Sequence, residues 1–357
     1  MRTKRKTAVG RAVSWIAAGL AVLTVFGAFA ALIPRRDIAE PEFPTFGSEA
    51  VVVKLRDDFL KTGEVITAAS YSEGRHVIAI DGAGPSEIRE AKNGAVWETH
   101  PIANLGLNVA YTGVVDEIVC FNDTWFFGLY HWNEQEGGRV YGYNDYELGS
   151  DEFRSYLWTK GTLGMPDAGD LTCLAAFGTN LCAVDETGYL WRKGLEGTFD
   201  LFGRPFVGTR IFDLDKSGKT YLALGMDAEG AVLYTATSLS GIWAKQQLDG
   251  ITANSFATSD KACFIACDDG KIAYSEDFKS WKISRMPDDV DFSEFFYFKG
   301  TYYAIGSNAT EGVLYESATG AAWERVVSVD EPLTAVSVGS SEALLYGEDG
   351  GVYRLTK

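Results

Sequence analysis

Along most of the chain, apolar and polar positions alternate with a period of two, in short runs separated by Gly, Asn, Asp or Ser. Residues 295–327 show the pattern most clearly. The run FFYF is followed by a Lys299-Gly300 turn, then TYYAIG, a turn at Glu311-Gly312, VLYES, a turn at Thr319-Gly320 and AAWERVV. Aromatic and β-branched runs punctuated in this way predict strands joined by tight hairpins, here a four-stranded antiparallel meander.

The same unit is written repeatedly. VITAASYSEG, HVIAID, SEIREAK and AVWETHPI make the first copy, and further copies open at EIVCFND, TCLAAFG, TRIFDLDKSG and NSFATSD. A meander recurring about every 40 residues predicts the blades of a β-propeller. The last copy is short, with TAVSVG, ALLYG and GVYRLT before Lys357, whereas AVVVKLR at 50–56 is a strand without a local partner. Donating that strand to the last unit closes the ring and protects its edges. The expected fold class is therefore all-β: a seven-bladed β-propeller over residues 49–357, its N-terminal strand closing the last blade, preceded by one transmembrane helix. The enlarged second unit, about 115–163, leaves six or eight blades open.

The helix is expected from the N-terminus. Residues 1–11 hold five basic residues and no acid, and residues 12–34 form an apolar run without a charge. Such a run spans a bilayer core of about 30 Å at about 1.5 Å per residue. The basic side stays cytoplasmic, which places the repeats outside the cell membrane on a single-pass anchor. The alternative is a cleaved signal peptide, with Ala28-Phe29-Ala30 as the small-x-small site and a secreted product. Residues 35–48, with Pro41 and Pro44, read as an extended linker.

Charge narrows the partners. The net charge is −17, and outside residues 1–11 the chain has 49 acids against 27 basic residues, a net of about −22. A body this acidic repels phosphate backbones, so no nucleic-acid partner is expected.

Several last turns share a form. Ser275-Glu276-Asp277-Phe278-Lys279-Ser280-Trp281 and Ser317-Ala318-Thr319-Gly320-Ala321-Ala322-Trp323 place Ser, then Asp or Thr, then Trp at the same offsets, and Ser238 to Trp243 is a looser copy. These turns resemble the Asp-box of BNR-repeat propellers, the superfamily of sialidases, sortilin-type receptors and photosystem II assembly propellers. The Trp falls one residue earlier than in the usual pattern, and only Asp277 supplies the acid. The resemblance implies a structural role for Ser275, Asp277, Trp281, Ser317, Thr319 and Trp323, in outer turns away from the ring axis. The Arg-Ile-Pro signature of sialidases is absent, so no sialidase activity and no catalytic residue is expected.

Candidate chemistry elsewhere is sparse. His76, His100 and His131 stand apart rather than at metal-ligand spacing. Asp213 to Leu224 opens like a calcium loop but ends on Leu where a bidentate Glu is needed, so a hairpin is expected, and no metal or cofactor. The five cysteines are expected as buried thiols, with Cys120–Cys173 the one pairing left open. The second unit crowds Trp125, Tyr130, His131, Trp132 and Tyr143 beside acidic loops. Those aromatics either fill an enlarged sheet interface or project a patch that binds protein, glycan or cationic ligands. The expected function is a membrane-anchored, extracytoplasmic, non-catalytic platform for binding or assembly. The alternative is a cell-surface polysaccharide-binding or glycoside-hydrolysing propeller.

Overall fold

The structure is a computed structural model that describes residues 49–82, 86–101, 114–130, 139–143, 153–157, 171–195, 199–259, 262–287 and 289–357. Glu49–Lys357 forms one compact unit.

Every described element is a strand. β1 (Val51–Arg56) precedes six complete blades of four consecutive strands. The first holds β2 to β5 (Val65–Ser72, Arg75–Asp81, Glu87–Ala91, Glu98–Pro101). The second holds β6 to β9 (Val114–Phe121, Thr124–Tyr130, Arg139–Tyr143, Phe153–Leu157). The third holds β10 to β13 (Leu171–Phe177, Asn180–Asp185, Leu190–Lys193, Asp200–Gly203). The fourth holds β14 to β17 (Arg210–Ser217, Thr220–Asp227, Gly230–Ala236, Ala244–Gln247). The fifth holds β18 to β21 (Ala253–Thr258, Cys263–Cys267, Lys271–Ser275, Lys282–Arg285). The sixth holds β22 to β25 (Asp291–Phe298, Thr301–Ser307, Gly312–Ser317, Glu324–Val329). A seventh sheet is composite. It takes β26 to β28 (Leu333–Val338, Ala343–Gly347, Val352–Thr356) from the C-terminus and β1 from the N-terminus, in the order β1-β28-β27-β26.

The first strand of each sheet touches the first strand of the next, and β26 returns to β2, so the inner strands close a ring. Within a strand, alternate side chains face opposite neighbouring sheets. Val77 and Ala79 of β3 pack with Ile118 and Phe127 of the second blade, whereas Ile78 and Ile80 pack against Leu344 and Tyr346 of the last. That two-sided burial is why the strand runs are almost continuously apolar at their centres.

β1 pairs antiparallel with β28 from Val51↔Thr356 to Arg56↔Val352. The link to β2 is pinned as well. Gly350 O accepts from Phe59 N at 3.0 Å, and Arg89 donates to Phe59 O at 2.6 Å and to Glu64 at 2.8 Å. Glu331 accepts from Asp349 N, Gly351 N and the Tyr353 hydroxyl, and faces Lys54 of β1 at 3.6 Å. The closing strand is thus held by a ladder, a buried cation and a buried carboxylate.

One part of the expected fold class is corrected. The described residues contain strands and no helix, and none among them forms a helix long and apolar enough to cross a membrane. The segment assigned to a transmembrane helix, 12–34, lies outside the described residues, as do the basic tail and linker.

Candidate binding site at the ring axis

All seven innermost strands carry the same irregularity. Their register slips at Ile66/Ala68, Val115/Glu117, Leu171/Cys173, Ile211/Asp213, Ala253/Ser255, Phe292/Glu294 and Leu333/Ala335. Each slip is a β-bulge, which bends the strand and re-aims side chains at the point of closest approach to the axis. The residue after the bulge is Glu117 in the second blade, Asp213 in the fourth and Glu294 in the sixth, so carboxylates occupy one equivalent position on alternate blades. Asp116 and Asp215 lie one and two residues away on the same strands.

These acids also tie blades together. Asp213 accepts from Phe256 N of the fifth blade at 3.0 Å, and Asp215 accepts from the Thr258 hydroxyl. Glu294 accepts from Val336 N of the seventh sheet at 3.2 Å. Inner strands are sheet edges with free N–H groups, and the neighbouring carboxylates satisfy some of them.

The electrostatics are unusual for surface acids. Burial, reinforced by Asp215, pushes Asp213 up to about 7 despite its bond to Phe256 N. Burial and Asp213 push Glu294 up to about 8. Burial, Asp116 and Asp213 push Glu117 well above the carboxylate range. All three are half-buried, on the inner strands that close the ring. Glu117, Asp213, Asp215 and Glu294 have no Lys, Arg or His within ion-pair distance among the described residues. Nor, among those residues, do three or more acids, His or Cys stand close enough to hold a metal ion. Carboxylates spread around an axis suit an extended or bulky cationic group better than a point charge.

Of the sequence-predicted aromatic site, only Trp125 has a described side chain. Trp125 is 3% exposed and packs with Val77, Ile88 and Phe127 between the first two blades, so it fills a sheet interface and is corrected as a binding residue. Tyr130 and Tyr143 lie on β7 and β8, and Trp125 pairs with Tyr143 across them. His131 and Trp132 lie outside the described residues. His76 is fully buried, not a surface residue.

The outer turns have the geometry expected of structural capping. Asp277 accepts from Lys279 N at 2.8 Å, Ser280 N at 2.7 Å and the Ser275 and Ser280 hydroxyls, which holds its carboxyl far below the usual range. Ser317 accepts from Gly320 N at 2.7 Å, and Thr319 accepts from Ala321 N. Trp323 donates to Gly320 O at 3.0 Å and lies 5.5 Å from the Phe295 ring. Trp281 packs half-buried against the fourth and fifth blades. Asp185, in the turn between β11 and β12 and not singled out by the sequence, caps its turn in a similar way: fully buried, it accepts from the Trp191 indole at 2.9 Å and from Thr187 N and Tyr189 N.

All five cysteines are free thiols. A cavity of about 400 Å³ beside β4 is lined by Arg75, Lys92, Glu90 and Glu98, and the Arg75–Glu90 pair at 2.9 Å neutralises its buried part.

No protein-family model matches the chain, and no curated protein matches its sequence. Solved structures define its class: it is similar to β-propellers. YCF48 from Cyanidioschyzon merolae matches with a TM-score of 0.64 at 13% identity, covering 85% of this chain and 98% of that one. A catalytically inactive virginiamycin B lyase from Staphylococcus aureus with quinupristin gives 0.64 at 12% identity, covering 87% and 100%. A streptogramin B lyase gives 0.63 at 10% identity, covering 86% and 97%. These likenesses establish the fold, and the Asp-box family is not singled out by them.

Proposed function

We propose that this propeller is a non-catalytic binding platform that works outside the cytoplasm and receives a cationic group of a protein partner at its axis. The observation behind the reading is the carboxylate set itself: Glu117, Asp213 and Glu294 stand at one position on alternate blades, with no paired cation among the described residues. A rigid ring holds them apart at fixed spacing, so an arriving ammonium or guanidinium stabilises their ionised forms, displaces their protons and needs no loop closure. The acidic body steers such a partner toward the ring over distances up to about a Debye length of ~8 Å at physiological salt. Export rests on the N-terminal basic and apolar run.

The test is fluorescence anisotropy with labelled oligo-arginine and oligo-glutamate peptides on the full-length protein at pH 8. The expected result is salt-sensitive binding of the basic peptide alone, weakened at least about tenfold in Glu117→Gln/Asp213→Asn/Glu294→Gln, as for the loss of about 1.4 kcal/mol. Equal binding by wild type and the triple variant removes the axial acids from the function. A polysaccharide-directed role is the second reading, favoured by carboxylates of raised pKa at one mouth, the kind used as acids in glycoside cleavage. Glycan-array binding lost in the same triple variant would select it.

A further inference from the structure

The seam where the last blade meets the first contains a buried polar chain that neither the axis nor the closing strand uses. His76 of β3 is fully buried, and its Nδ1 lies 2.6 Å from Ser337 Oγ of β26. Ser337 Oγ lies 2.7 Å from the Tyr346 hydroxyl of β27. On the other side of the ring, His76 Nε2 faces Glu342 Oε1 at 3.6 Å, beyond hydrogen-bond length. The Tyr71 ring of β2 covers the imidazole, with centroids 4.7 Å apart, and Arg354 of β28 stands 3.9 Å from Glu342.

Counting hydrogens shows what this chain accommodates. With a neutral imidazole carrying its hydrogen on Nε2, Ser337 donates to Nδ1 and accepts from Tyr346, and both contacts are satisfied. A proton on Nδ1 turns that nitrogen into a donor. Ser337 Oγ must then accept from it, and whichever way the Ser337–Tyr346 contact turns, one of the two hydroxyl hydrogens is left with no acceptor among the described residues. A buried donor without a partner is costly, and so is a buried cation.

We propose that this network is a proton-operated latch: proton uptake by His76 undoes the chain joining the last blade to the first and loosens the ring at its closing seam. The groups facing His76 agree with that role. Burial pushes its imidazole down to about 4. Burial raises the Glu342 carboxyl against the pull of Arg354, so the carboxylate that faces the imidazole among the described residues is itself easily neutralised in acid. Burial also pushes the Tyr346 phenol up, so it remains a donor throughout. Because the folded imidazole binds its proton less readily than the unfolded one, seam stability is complete above about pH 6.5 and is lost as pH falls toward 4. The axial acids titrate with the opposite sign over the same range, so an acid-induced loosening confined to the seam does not come from them.

Hydrogen exchange read by mass spectrometry on the full-length protein, corrected for intrinsic rates, tests the latch at pH 7.5 and 5.0. Protection in β3 and β26 is expected to fall about tenfold or more at pH 5.0, while β15 and β19 of the fourth and fifth blades hold. His76→Gln removes the difference between the two pH values. Glu342→Gln, a half-buried change, keeps the difference between the two pH values, because the imidazole of the opened seam sets where the loss begins. Seam protection that is unchanged between the two pH values, or a pH difference that survives in His76→Gln, overturns the proposal.

Discussion

Asp277 at the rim and Asp213 at the axis are the same residue on adjacent blades, and the ring treats them in opposite ways. Asp277 sits in an exposed turn where two backbone N–H groups and two hydroxyls converge on it, and its carboxyl is held far below the usual range. Asp213 is pushed up to about 7 by burial and by neighbouring Asp215, against the bonds it accepts from backbone N–H groups such as Phe256 N. The difference teaches that burial set against donor count decides the outcome: an exposed carboxylate ringed by donors is held ionised, whereas a buried one with few donors is left to take up a proton. A turn spends the whole charge on its own backbone. The axis leaves charge over for a proton or a cation.

The rim side of that comparison is most severely broken at Gly320. Its φ is +80°, and an added Cβ comes 1.9 Å from Phe264 of the fifth blade, a ring 0% exposed. Gly94 repeats the arrangement on the first blade, where Leu344 of the last sheet lies 2.6 Å from the would-be Cβ. Both turns are therefore keys between neighbouring blades as well as hairpins. Gly320→Ala is expected to cost about 3 kcal/mol or more, from strain in the left-handed region added to overpacking. Chemical denaturation measures it, and a cost below about 1 kcal/mol would mean that the turn is free to shift away from Phe264.

The two acids are next separated by pH. Asp213 and Glu294 keep protons in the folded protein that the unfolded chain has released, so stability falls as pH rises from about 4 through 7 and 8. Asp213→Asn with Glu294→Gln is expected to flatten that decline, seen as melting temperatures that converge with wild type at pH 5 and exceed it at pH 8. Asp277 has the reverse sign: its contribution is present above about pH 4 and is lost only in stronger acid, so Asp277→Ala lowers the melting temperature throughout the neutral range. Parallel pH curves for the axis variant and wild type would show that the axial acids are ionised like surface groups.

How much of this was legible in the sequence follows the same division. The strand segments, their hairpins and the pairing of β1 with the last strand were readable, because period-two alternation and turn residues are local signals. The rim acid was readable for the same reason, as Asp277 and its donors lie within five residues. The axial set was not. Glu117, Asp213 and Glu294 are separated by about 80 to 100 residues, and only the bulge repeated in every inner strand shows that they are equivalent. Trp125 was left open between two roles because an aromatic-rich strand looks alike whether its rings fill an interface or face a ligand, and its 3% exposure places it in the interface. His76 gave no local signal, since its partners Ser337 and Glu342 arrive only when the ring closes.

The smallest effect sharpens the rim itself. Trp323 and Trp281 occupy the same place in successive blades, yet Trp323 donates to Gly320 O at 3.0 Å, whereas Trp281 Nε1 is buried without a partner among the described residues. Changing each to Phe removes the indole N–H and keeps most of the apolar surface. Trp323→Phe forfeits a made hydrogen bond and is expected to cost about 1 kcal/mol beyond the change in packing. Trp281→Phe deletes a donor that gains nothing in the folded state, so its cost is only the lost ring area, offset by relief of an unsatisfied group. Urea midpoints of the two variants therefore separate, with Trp323→Phe the lower. Equal midpoints would mean that in these turns the indole acts through its area alone, and that the hydrogen bonds that hold the Asp277 carboxylate have no counterpart in the tryptophans beside it.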